Sequence, residues 1–98
     1  MSEPTAHIGI LSLELYLPSS GSLKSKRRVL KSLKDRVRSQ FNVSIAEIGE
    51  LDKWQKAVIG ICVIGNDKSH LDRSLQNILS FADGIREFEV VDYKIEFN

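Results

Sequence analysis

A chain of 98 residues, 42% apolar and 28% charged, is sized and balanced for one domain, residues 1–98, with a single two-layer core. Cys62 is the only cysteine, which excludes an internal disulfide and fits a reducing compartment. Net charge is only +1, yet residues 22–39 hold eight of the fourteen Lys and Arg and one of the thirteen acids, +7 locally against −6 for the rest. The N-terminus "MSEPTAHIG" has no basic n-region and Glu14 breaks the apolar run after it, so neither a secretory signal nor a membrane span is expected. A cytoplasmic location follows as the expectation.

"HIGILSLELYL" (7–17) alternates through Leu11, Leu13, Leu15 and Leu17, a strand with one face in a core. "PSSGS" breaks it, and Ser22 can cap a helix whose apolar stripe is Leu23, Leu30, Leu33, Val37 and Phe41. "NVSIAEIG" (42–49) reads as a short second strand, "GELDKWQ" as a turn, and "KAVIGICVIG" (56–65) as a central strand apolar on both faces. Asn66 or Asp67 caps a second helix with the stripe Leu71, Leu75, Ile78, Leu79 and Ala82. That helix stops before Gly84, expected as a left-handed C-terminal residue. In "FEVVDYKIEF" (88–97), alternation puts Val91, Tyr93, Ile95 and Phe97 on one face and Asp92, Lys94 and Glu96 on the other. The order β-α-β-β-α-β is best satisfied by a ferredoxin-like α+β fold: a four-stranded antiparallel sheet, order 4-1-3-2, with two helices on one face.

Enzyme motifs are missing. There is no Gly-x-Gly-x-x-Gly, P-loop, Cys-x-x-Cys or His pair at helical spacing, so no metal, no cofactor and no catalytic residue is expected. His7 and His70 read as ordinary polar residues, and Cys62 as a small buried hydrophobe without a neighbouring base. Glu47, Glu50 and Asp52 read as a solvated hairpin end. The third strand has no aromatic residue, which speaks against stacking bases on the sheet as RNA-recognition modules do.

At 100° per residue, Lys24, Lys31 and Arg38 fall on one line of the basic helix. Arg27 and Lys34 form a second line, and Arg28 lies just beyond. Like charges at these spacings oppose the helix by a few tenths of a kcal/mol per pair, and cations in the first turns oppose its dipole. The expected contact surface for phosphates is therefore Ser20, Ser22, Lys24, Lys26, Arg27, Arg28, Lys31, Lys34 and Arg38, with the serine loop and helix N-terminus contributing donors. The plainer alternative is a solvated helix face whose long stems cover the core edge.

The segments "SLKSKRRVLKSLKDR" and "FNVSIAEIGE" and the pair Trp54-Gln55 resemble the YlxP-like family of small bacterial proteins of unknown function, over almost the whole length. The resemblance implies a ferredoxin-like fold and a bacterial, cytoplasmic protein. Genes of that family often neighbour those for transcription and ribosome-maturation factors, which points to RNA or a ribosomal particle as partner. The reading is thus a non-enzymatic binding module for RNA phosphates, with Trp54 folded back to seal the core edge. The alternative is a homodimerising interaction module without nucleic-acid binding. It would use the open sheet face (Ile8, Ile10, Val58, Cys62, Ile64 and Val90) or the edge of the second strand, where Glu47 is the only charge. A small-ligand regulatory module ranks last, since no pocket is marked.

Overall fold

Leu11, Leu13 and Leu15 of β1 (His7–Tyr16), with Leu17 just beyond it, point the same way and are at most 2% exposed. Each such side chain contributes roughly 1.5–3 kcal/mol by leaving water. The computed structural model describes residues 3–98. After β1 come α1 (Leu23–Gln40), β2 (Ser44–Gly49), β3 (Lys56–Gly65), α2 (Lys68–Asp83) and β4 (Glu89–Phe97). The strands form one sheet in the order β2-β3-β1-β4, every pair antiparallel. This is the ferredoxin-like α+β fold, its order the expected one counted from the other edge.

Core residues meet in register across the sheet: Leu11 pairs with Ile61 and the partly buried Ile95, and Leu13 with Ile59. α1 covers the β2 side of this face and α2 the β1 side, with Leu30, Leu33, Val37, Leu71, Leu75 and Ile78 buried beneath them. Gly9 leaves room for α2, because a Cβ there would stand 2.9 Å from Leu75 Cδ1 and that side chain would have to shift.

Two bulges depart from strict alternation. In the β1–β4 pair, Glu14 opposes Asp92 but Leu15 opposes Val90, leaving Val91 as the extra residue. Val90 therefore turns to the core, not to the open face as alternation implies, while Val91 leaves the core side and is 55% exposed. In β2, Glu47 opposes Ile59 and Gly49 opposes Val58, with Ile48 between them. Ile48 lies over Gly60 on the open face, whereas Glu47 stays on the helix face.

Helix ends follow side-chain chemistry. Ser22 caps α1, its Oγ accepting from the Ser25 amide at 3.0 Å. Asp67 caps α2, accepting from the Ser69 amide and hydroxyl and from the His70 amide. The Ser69 hydroxyl first, then the His70 and Ser69 amides, hold the Asp67 carboxyl below its ordinary value. Gly84 has φ −86°, so α2 ends without the left-handed residue expected. Instead the amides of Gly84 and Ile85 donate to Phe81 and Ala82, tightening the last turn.

Candidate polyanion-binding surface

The inward stripe of α1 is Lys26, Leu30, Leu33 and Val37, all buried, while Leu23 is only half-buried. Lys26, expected among the phosphate contacts, is 0% exposed. Its ammonium donates to the carbonyls of Glu50 (2.8 Å), Lys56 (3.1 Å) and, at longer range, Leu51 (3.5 Å). Glu47 Oε2 is also 2.8 Å away. That contact is an ion pair, and the buried oxygen has no hydrogen-bond partner among the described residues. A buried ammonium is tolerated only with such partners. Lys26 is thus a structural pin between α1 and the β2–β3 turn, unavailable to any ligand.

That turn is organised around the pin. Glu50 has φ +59°, a left-handed conformation that costs a non-glycine residue on the order of 1 kcal/mol. The conformation accompanies a Glu50 carbonyl that accepts both Lys26 Nζ and the Lys53 amide. On the far side, Leu17 donates its amide to the Gln55 carbonyl and Gln55 Nε2 donates to the Pro18 carbonyl. The hairpin end and the serine loop are therefore laced together.

The expected serine cradle is spent internally. Ser20 is buried and donates to the Ser22 carbonyl, and the Ser22 hydroxyl serves the helix cap. Neither hydroxyl faces a ligand, which corrects that part of the expectation. Lys24, Arg27 and Arg28 are exposed and Lys34 is half-buried; none of the four makes an ion pair among the described residues. Lys31 is exposed but bonded to Asp35 at 2.7 Å. That hydrogen bond first, opposed by desolvation and helped by the charges of Lys31, Arg38 and Lys34, holds the Asp35 carboxyl below its ordinary range.

Arg38 donates to the Ile45 carbonyl at 3.2 Å, so the β2 edge has a guard that a count of its own charges misses. Arg36 stacks over Phe81, its guanidinium carbon 5.4 Å from the ring centre. Arg28 and Arg36 also border a groove of about 280 Å³ between α1 and the α2–β4 loop, with Glu87 on its wall.

The opposite face of the sheet has no helix over it. It carries Ile8, Ile10, Val58 and Cys62, half-buried, and Ile64, 68% exposed. Cys62 is therefore less enclosed than its apolar neighbours imply. Trp54, expected to seal the core, is instead 56% exposed at the hairpin end, beside Leu51 at 60%. Its neighbours Gln55 and Lys56 spend their polar groups on Leu17, Pro18 and Lys26, which fixes the turn without needing the indole for packing. The signal for Lys26 was present in the spacing 26, 30, 33, 37, which is that of a core stripe. No helix among the described residues is long and apolar enough to cross a membrane.

Fold and surface together define a ferredoxin-like α+β protein with a cation-loaded first helix. The chain belongs to the family described as protein of unknown function DUF503, whose model matches residues 8–95. It is 42% identical over 82 residues to the Uncharacterized protein YlxP of Bacillus subtilis (strain 168), an alignment covering 84% of this chain and 89% of that relative. The family resemblance drawn from the basic segment, "FNVSIAEIGE" and Trp54-Gln55 is borne out.

Proposed function

We propose that this protein is a non-catalytic module that binds RNA, free or within a ribosomal particle, through phosphate contacts along α1. The observation that carries this reading is the set Lys24, Arg27, Arg28 and Lys34, cations on one helix with no carboxylate partner among the described residues. Lys31 adds a fifth charge that a phosphate could draw from Asp35. Such contacts fix position and carry no sequence information. With about four phosphates neutralised on a single strand, log K for an oligo(U) should fall against log[salt] with a slope of about −3. Fluorescence anisotropy with labelled oligo(U) measures it. No binding at low salt, or an affinity indifferent to salt, overturns the reading.

A second reading rests on the uncovered sheet face, where Ile48, Ile64 and Val91 are each more than half exposed. Pairing of two such faces would make a homodimer and leave both α1 helices outward. Sedimentation equilibrium at micromolar concentration should then give twice the chain mass, and a monomer would rule it out.

A further inference from the structure

Trp54 is held out into solvent by a turn that is braced on both sides. Upstream, the Lys53 amide bonds to Glu50. Downstream, Gln55 bonds to Leu17 and Pro18, and the Lys56 carbonyl receives the buried Lys26 ammonium. The backbone around this indole has therefore already lost the freedom that binding would otherwise remove. Lys53, Trp54, Gln55 and Lys56 wall a shallow cleft of about 350 Å³, so a flat apolar surface shares it with two lysines. The acids Glu50 and Asp52 offset those two lysines, and the charge excess at this end comes from α1, which the Lys26 pin holds against the same turn.

We infer that Trp54 is a stacking platform for an unpaired base, and that the RNA bound along α1 is single-stranded or looped rather than duplex. This rests on the reading that α1 binds phosphates. An exposed aromatic beside a cationic track is the pairing that single strands use, the indole taking a base face while cations follow the backbone. A duplex keeps its base faces stacked on one another and offers this indole nothing.

Trp54 is the only tryptophan, so tryptophan emission, excited selectively over the two tyrosines, reports on this position alone. The 98-residue chain is titrated with oligo(U), with an RNA duplex of the same length and with inorganic polyphosphate, which carries charge but no base. The inference expects oligo(U) to quench the emission while polyphosphate binds without quenching. Trp54→Ala should weaken oligo(U) binding about 5- to 150-fold, the equivalent of ~1–3 kcal/mol for one stacked base, and polyphosphate binding less than twofold. A thermal melt of Trp54→Ala matching the native one ties that loss to binding. If both polymers bind and neither moves the emission, or Trp54→Ala binds oligo(U) as the native protein does, stacking is overturned and phosphate binding stands. Should the emission shift with protein concentration alone, the hairpin docks a second copy and the inference fails. If nothing binds at low salt, the underlying reading fails with it.

Discussion

α1 and α2 perform the same architectural task with different surfaces. Both are amphipathic, both lie on one face of the sheet, and both bury a stripe of four residues. α2 balances Lys68 and Arg73 against Asp72 and Asp83, whereas α1 sets eight cations against Asp35. One of those eight, Lys26, belongs to the interior and is matched by Glu47. The remaining imbalance is not needed to hold a helix on this sheet, since α2 does without it, and its share in the first turns, Lys24, Arg27 and Arg28, opposes the α1 dipole. The difference separates charge that builds the protein from charge available to a partner.

The largest expected effect breaks the interior half of that comparison. Lys26→Met keeps the stem but leaves Glu47 and the carbonyls of Glu50 and Lys56 without their cation. It should cost about 3–5 kcal/mol, read from urea denaturation midpoints. Arg73→Met on the surface of α2 should change stability by less than about 0.5 kcal/mol. A loss below about 1 kcal/mol for Lys26→Met would show that the pin is not structural.

A smaller effect distinguishes the two helix caps. Because the folded Asp67 carboxyl titrates below its ordinary value of 3.8, its stabilisation of α2 is complete above that value and is lost as pH falls through the lowered one. The Ser22 hydroxyl on α1 does not titrate. Amide NMR on acidification should therefore show Ser69 and His70 moving below about pH 4 while Ser25 holds its position. Asp67→Asn, which keeps a capping oxygen, should remove that pH dependence. Persistence of the shift at Ser69 in this variant would count against the assignment.

Much of this molecule is legible in its residues. The leucines of β1 and the stripes of both helices announce their faces because burial imposes a period on the side chains. The bulges leave no such trace: one inserted residue exchanges Val90 and Val91 between faces without altering composition. Of the nine expected phosphate contacts, Ser20, Ser22 and Lys26 are consumed internally, because the ends of a helix and a buried turn have polar groups of their own to satisfy. Charge made Lys26 look like a surface residue, although its spacing put it in the core. Trp54 misled in the opposite sense, since its turn is braced by hydrogen bonds and not by burial of the indole.

The most direct test replaces Lys24, Arg27 and Arg28 together with Glu and measures oligo(U) affinity at low salt beside the thermal melt. Acids near the start of α1 favour its dipole, by about 0.3–1 kcal/mol for Lys24→Glu in the first turn. The account predicts a melting temperature at or above the native one together with at least a 100-fold loss of affinity. Affinity equal to the native protein's would contradict it.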